Sequence, residues 1–436
     1  MAVPVAPGRW PVLGHTPVLL RRRFGFTDGL RQHGDLVRVY LGRLLTYFVT
    51  SAELTHQVLV TRSASFEKGA MFDKFRPFTG NGLVNSGGAF HLRQRRLIQP
   101  AFHRERIAHY AEKMAVAVAE LCGSWKPDET REINDDMQAL AVTIVGAALF
   151  GTELGGSAIE ESRRSIPVVI RQGMIRALSP EPVGRLLVRG NRQLDQAVTR
   201  MRSVVDELIA GWRAEGRDRG DLLSTLLLAR DTDGTPMTDQ QVYDEVITLL
   251  SAGIETSALA LAWLFHELAR HPDVERRVHD EVDRVLGGRR VTFDDVPKLT
   301  YLRQVIDETL RMYPIWILMR RTTEPVELGG VRIPRDTEVT VSPHALHFDP
   351  RSFPHPERFD PDRWAPDAAG EIPRGAFIPF GAGNRQCVGN AFALLEMAVT
   401  AATIVSRWRL TLARPLRVAY TSTAYPTRLS MTVTPR

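Results

Sequence analysis

Cys387 lies in Phe380-Gly-Ala-Gly-Asn-Arg-Gln-Cys-Val-Gly389, a run with three glycines and one arginine in a chain that has only two cysteines. Glycine on either side lets backbone N–H groups approach the sulfur and stabilise it as a thiolate. The apolar stretch that follows, residues 389–408, is patterned as a helix, so the cysteine stands near a helix N-terminus, where the dipole also favours negative charge. Three chemistries compete for such a loop. Gly381 and Gly383 fit a dinucleotide-binding glycine pattern, but Gln386 stands at its third position and no strand-turn-helix unit with a distal acid follows. A nucleophilic cysteine needs a histidine base, and any of twelve histidines could serve. A single metal-ligating thiolate with no second soft ligand suits a haem iron better than zinc or an iron–sulfur cluster, which need more protein ligands. Two cysteines exclude a disulfide framework, and Cys122, in an apolar helical pattern, reads as a small core residue.

A second constellation sits in the middle of a long helix. Thr238 with Gln241 three residues later forms a capping box, and apolar residues continue to a stop at Pro272. About 32 residues at 1.5 Å each give roughly 48 Å, enough to cross a domain. Within this apolar helix stand Gly253, a poor helix former, and the charge of Glu255. Leu249, Ala252, Thr256, Ala260 and Trp263 share one stripe, with Ala252 and Gly253 making a notch beside the Thr256 hydroxyl. The plainer alternative is that Thr256 bonds its own i−4 carbonyl and Glu255 pairs with a buried base.

The elements that must position these residues are mainly helical between about 90 and 320. Residues 36–50 read as a hairpin turning at Gly42 and Arg43, and residues 326–342 as a second strand pair around Gly329 and Gly330. Residues 343–379 are proline-rich and irregular, a length of coil that signals a packing or functional role. With no repeat or linker, the expectation is one domain, residues 1–436, with an ordinary 44% hydrophobic and 24% charged composition. Its 56 basic residues are interleaved with 50 acidic ones, so the +6 charge does not indicate nucleic acid. No stretch reads as a run of roughly 18–20 apolar residues, and the N-terminus lacks a secretory apolar core, so a cytoplasmic protein without a membrane anchor is expected.

The cysteine loop resembles the haem-binding loop of the cytochrome P450 family, with every specified position of the pattern FxxGxRxCxG present. Three further stretches are similar to family motifs in order and spacing: Glu308-Thr-Leu-Arg311 to the ExxR helix, Pro356-Glu-Arg358-Phe to the segment completing a Glu-Arg-Arg network, and Ala252-Gly-Ile-Glu-Thr256 to the oxygen-activating motif. Residues 7–15 resemble the proline-rich entry. The resemblance covers essentially the whole chain.

It implies a mainly α fold, with a large helical domain around the long central helix and a small β-rich subdomain. It implies haem b with Cys387 as the axial thiolate, in a loop that includes Gly381 and Gly389, and with Phe380 shielding the sulfur. The haem carboxylates would be met by His91 and Arg95, four apart on one helix, by Arg385, and by Arg320 or its neighbour Arg321. Glu308, Arg311 and Arg358 would form the buried network that holds the cysteine loop. Thr256 and Glu255 would bind dioxygen and relay protons in the notch of Ala252 and Gly253.

Electrons would come from a ferredoxin and its reductase, docking near Arg93, Arg95 and Arg96. The segments 68–84, 170–184 and 314–319 would line the pocket, with Phe72, Phe75, Leu249, Ile315, Trp316 and Ile317 as contacts, suiting a hydrophobic substrate. The chain resembles terpene-oxidising bacterial members. The implied activity is hydroxylation or successive oxidation of a terpene (a sesquiterpene) in secondary metabolism, by a monomer. Fatty-acid, steroid or macrolide oxidation, a reductase-independent peroxygenase and a haem sensor remain alternatives.

Overall fold

The computed structural model describes residues 3–151, 155–178, 188–314, 317–420 and 424–436. In chain order, the elements that matter for function begin with a short helix α1 (Thr16–Arg22) and the hairpin β1 (Leu36–Leu41) and β2 (Leu44–Val49). Strand β3 (Phe66–Lys68) leads into helix α2 (Ala70–Thr79), then helices α3 (Gly88–Ile98), α4 (Ile133–Phe150) and α5 (Gly155–Leu178). The long helix α6 (Asp239–Arg270) follows, then α7 (Thr300–Met312) and strands β4 (Leu318–Thr322), β5 (Val326–Leu328), β6 (Val331–Ile333) and β7 (Glu338–Val341). Helix α8 (Asn390–Val405) comes after the cysteine loop.

The chain divides into two compact units. The first comprises Met1–Ala70, Arg303–Cys387 and Val418–Tyr425. Its centre is a five-stranded sheet in the order β1-β2-β7-β4-β3, antiparallel except for the parallel pair β2 and β7. Alternation in β1 and β2 sends Val37, Val39 and Phe48 onto a small core with Phe26 and Leu30. Both expected hairpins form: Leu41 faces Leu44 across Gly42 and Arg43, and Leu328 faces Val331 across Gly329 and Gly330, whose φ of 58° and 71° suit glycine. Strand β7 of the second expected region joins the large sheet instead of remaining a local pair.

The second unit comprises Met71–Leu302, Val388–Arg417 and Pro426–Arg436, mostly helices around α6. The expected capping box is present, with Thr238 accepting from Gln241 N and Gln241 accepting from Thr238 N. Residues Ser257–Leu268 of α6 are buried without interruption, so this half of the helix is core on all faces. Helices α4 and α6 are each long and apolar enough to cross a bilayer, contrary to the expectation from reading the sequence. About two thirds (67%) of each is buried inside the protein, as in a core helix. Cys122 is buried as expected, and desolvation pushes its thiol up to about 12.

Candidate active site

In the first unit the cysteine loop has little freedom left. Cys387 N donates to Phe380 O at 2.9 Å, and Gly381 N to Ile378 O at 3.0 Å, closing the loop on itself. Gly381 and Gly383 hold φ of 68° and 69°, and a Cβ on Gly383 would collide with the Leu59 carbonyl. These two glycines are therefore required by shape, whereas Gly389 (φ −89°) serves as the N-cap of α8. Cys387 is exposed and takes part in no disulfide.

Beside this loop, three cations converge. Arg320 on β4 pairs in register with Lys68 on β3, and Arg385 lies close enough to repel both. Arg320 is 97% buried and donates to the Met319 carbonyl at 3.1 Å; desolvation, then Arg385, lowers it to about 10. The same causes, with Arg320 before Arg385, hold Lys68 well below the usual lysine range. Arg321, on the opposite face of the strand, is bonded to Glu338 at 2.8 Å. A dianionic cofactor edge suits Arg320, Lys68 and Arg385, and a thiolate ligand suits Cys387, so haem fits the residues present. The sequence reading missed Lys68; its only signal was its position at the end of a short strand.

Behind the loop, Glu308 and Arg311 are fully buried, and Arg311 forks onto Glu308 with Nε and Nη2 each at 2.8 Å. The third guanidinium is a correction. Arg358 supplies only its carbonyl, to Arg311 Nη2 at 3.2 Å, whereas Arg363 Nε reaches Glu308 Oε1 at 3.2 Å. Trp364 Nε1 (2.9 Å) and Asp360 N (2.9 Å) complete the shell of the carboxylate. The string Pro356-Glu-Arg-Phe recurs as Pro361-Asp-Arg-Trp, and the second copy, in a helical turn at Pro361–Trp364, aims its arginine inward. His347 was also missed. Its carbonyl accepts from Arg311 Nη1 at 2.9 Å, its Nδ1 meets Arg311 O at 3.0 Å, and its Nε2 accepts from Ile378 N at 3.0 Å. Since Nε2 is the acceptor, the proton sits on Nδ1, and the ring ties the Arg311 network to the start of the cysteine loop. Burial lowers its pKa to about 3.

In the second unit, α6 carries the candidate residues Glu255 and Thr256. Thr256 Oγ1 donates to Ala252 O at 2.6 Å, the plainer of the two alternatives for this side chain. Burial raises the Glu255 pKa, and among the described residues the buried base weighed above is not found beside it. Gly253 does not widen the notch. Its missing Cβ faces Val145 Cγ2 of α4, 3.2 Å from where that atom would stand, so glycine here permits close approach of two helices. Glu396 of α8, fully buried, has its pKa raised to about 8 by desolvation, with the hydroxyl of Ser257 as its polar neighbour.

Helix α3 presents His91 and Arg95 on one face; His91 is buried and its Nδ1 lies 3.2 Å from Ser86 Oγ. Arg93 is turned away, bonded to Asp231 at 2.9 Å, and Arg96 meets the same carboxylate at 3.2 Å. Asp231 thus pairs with two of the three arginines expected to form a docking patch, offsetting one of their two charges. Gln94 donates to Glu245 of α6 at 2.9 Å, which fixes the helix rotation.

Of the expected pocket residues, Phe72 is buried, and Phe75 with Phe78 lies under Gly173 of α5 at 3.7–3.8 Å from its ideal Cβ. Residues 170–178, expected as loop, end helix α5. Leu249 and Ile317 are half-buried, and Ile315, Trp316 and residues 179–184 lie outside the described residues.

Comparison with known proteins agrees with this geometry. A family profile described as Cytochrome P450 matches residues 4–420. The chain is 46% identical over 408 residues to cyclooctat-9-en-7-ol 5-monooxygenase of Streptomyces melanosporofaciens, covering 93% of this chain and 89% of the relative. It is 42% identical to cyclooctatin synthase of the same organism, with the same coverage, and 36% identical to pentalenene oxygenase of Streptomyces avermitilis over 99% of this chain and 97% of that one. With a cysteine loop held by left-handed glycines, a cation cluster beside it and this coverage, the chain belongs to the cytochrome P450 family.

Proposed function

We propose that this chain, acting as one domain over residues 1–436, is a haem-thiolate monooxygenase that hydroxylates or successively oxidises a terpene in secondary metabolism. The observation that carries the site assignment is the convergence of Lys68, Arg320 and Arg385 beside the Cys387 loop. Cys387 Sγ would supply the thiolate ligand, and the three cations, with His91 and Arg95, would bind the haem carboxylates. Bound haem supplies dioxygen activation and insertion of one oxygen atom into a C–H bond, drawing on thiolate electron donation.

The chain's own contribution is positioning and proton handling. Thr256 Oγ1, by giving up its bond to Ala252 O, would supply a hydroxyl for hydrogen bonding and proton transfer beside the haem. Glu255 and Glu396, raised by burial, hold protons closer to neutrality than ordinary carboxyls do and would buffer delivery along α6. The aromatic face of α2, with Phe75 and Phe78 against Gly173 of α5, would suit an apolar substrate. The names carried by the relatives support a terpene over a fatty acid, steroid or macrolide. A ferredoxin with its reductase would supply electrons to a monomer in the cytoplasm.

Optical titration of the ferric protein with sesquiterpenes, other terpenes, fatty acids and macrolides tests the reading. A low- to high-spin Soret shift with terpenes alone is expected, followed by an oxygenated product. A shift with another class only would remove the terpene assignment. Thr256→Ala should raise peroxide release per NADPH about tenfold; an unchanged ratio of product to NADPH would refute its role.

A further inference from the structure

The turn between α2 and α3, residues 80–87, is buried like core although it is neither helix nor strand: Leu83, Asn85 and Ser86 are each less than a tenth exposed. Connecting segments normally run over the surface, because buried backbone groups must find partners. Here α6, in the same unit, supplies them. Asn81 N donates to Asp244 Oδ2 and Leu83 N to Glu245 Oε2, each at 2.9 Å. Two glycines let the backbone lie flush on the helix. A Cβ on Gly80 (φ 73°) would collide with the Asp244 carboxylate, and one on Gly82 with Thr248 Oγ1 and the Asp244 carbonyl. Within the turn, Asn85 Nδ2 donates to Thr79 Oγ1 at 2.6 Å and to Gly80 O at 2.9 Å, and Arg76 Nη2 to Asn85 O at 3.1 Å.

The two carboxylates are not equivalent. The second oxygen of Asp244 accepts from Gln240 Nε2 at 2.7 Å, one turn earlier on its own helix. Glu245 is fully buried and joins three elements: α6, the turn through Leu83 N, and α3 through Gln94 Nε2 at 2.9 Å. It also begins the stripe that continues through Leu249, Ala252 and Thr256. The turn it holds runs directly on from α2, whose Phe75 and Phe78 lie under Gly173 of α5. We propose that Glu245 is a positioning residue: its carboxylate fixes the turn 80–87, and with it the aromatic wall of α2, relative to the stripe that carries Thr256, and so sets the affinity for apolar ligands. This rests on the reading of α2 as a wall of the substrate pocket.

The clamp uses both oxygens of Glu245 as acceptors. A proton on either would place an O–H where Gln94 or Leu83 donates. Desolvation raises the Glu245 pKa to about 7 against the bonds from Gln94 and Leu83, and Asp244 adds a smaller push in the same direction. The clamp is therefore complete above this range and weakened below it. The ionisable and charged groups around it are Asp244 on α6, Arg76 on α2, and His91, Arg93 and Arg95 on α3. Arg93 is engaged with Gln94 Oε1 at 3.1 Å and with Asp231 at 2.9 Å. A histidine among them means that a variant must separate its titration from that of Glu245.

Amide hydrogen exchange of the haem-loaded protein without ligand reads the clamp directly. Relative to intrinsic rates, protection of Leu83 N should be about tenfold greater at about pH 8 than at about pH 6. Glu245→Gln, isosteric and uncharged, should show the lower protection at both. The wall is read by optical titration with a phenyl-substituted triazole, a neutral azole whose nitrogen ligates ferric haem whatever the natural substrate. Its Kd should rise several-fold from the higher pH to the lower in the parent, and be raised and level in the variant. Gln94→Ala, which removes one donor from the carboxylate, should move the midpoint of the parent profile to higher pH. Level protection of Leu83 N in the parent would overturn the proposal without any variant. A pH dependence that persists in Glu245→Gln would overturn it in favour of His91, and protection lost equally at Leu250 of α6 would overturn it in favour of a general structural role. If the triazole profiles are as stated and no terpene shifts the Soret band, the terpene assignment falls and this one stands.

Discussion

Two regions of the first unit bury positive charge, and they do so in opposite ways. Around Glu308, every charge has its partner inside the fold: Arg311 forks onto the carboxylate, Arg363 and Trp364 fill its remaining lone pairs, and Arg311 also donates to the carbonyls of His347, Pro356 and Arg358. Phe348 and Phe353 cover the Arg311 guanidinium at 5.4 and 5.5 Å. At Arg320 the buried charge instead faces Lys68 and Arg385, so bringing the strands together raises electrostatic energy. The first arrangement holds shape; the second is the one proposed above to meet the haem carboxylates. A folded chain can tolerate desolvated like charges only where something else, here the pairing of β3 with β4, holds them in place.

The largest effect should come from breaking the satisfied region. Glu308→Ala leaves Arg311 as an uncompensated buried cation and should cost about 3–5 kcal/mol, with loss of haem from the purified protein. Full haem content in a stably folded variant would show that the network does not hold the loop.

His347 offers a second break, by acid. Its folded pKa of about 3 lies below the ordinary 6.5, so the unfolded chain binds the extra proton first. The stability it contributes is present above pH 6.5 and is lost as pH falls toward 3, at up to about 1.4 kcal/mol per pH unit. His347→Gln should flatten this part of the denaturation midpoint profile. An equal slope in both proteins would mean that other groups carry it.

Arg320→Leu should separate the two regions most cleanly. Haem affinity should fall about 10–100-fold, the value of a charge-assisted pair, while the thermal midpoint of the haem-free protein stays level or rises. A haem-free protein destabilised as strongly as by Glu308→Ala would mean that Arg320 is structural.

The smallest effect distinguishes the two arginines of the network. Arg363→Ala should cost about 1–3 kcal/mol, since it removes a charged hydrogen-bonding partner. Arg358→Ala, which leaves the carbonyl in place, should stay within about 0.5 kcal/mol. Denaturant midpoints of the two variants decide this, and the reverse ranking would restore Arg358 to the network.

Much of this was legible because it is local. The capping box of Thr238 and Gln241, the glycine turns and the cysteine loop each depend on residues a few positions apart. Arg363 was hidden by two similar strings five residues apart; only the turn at Pro361–Trp364 decides which arginine points inward. Gly253 was misassigned because a bare helix face can serve a cofactor or a neighbouring helix, and the position of Val145 chose the helix. Arg93 and Arg96 look like a free cationic patch until Asp231, 135 residues or more away, is brought to them.

By itself the sequence determined the ligand type, the central helix and its stop, and the glycine-bearing cysteine loop, because sterics and capping act within a few residues. Tertiary structure alone decided which charges meet. Lys68 joins Arg320 through a strand register, and His347 joins Arg311 to Ile378 through two ring nitrogens. Hydrogen bonds and Coulomb forces act over a few ångströms in space, and only folding sets those distances.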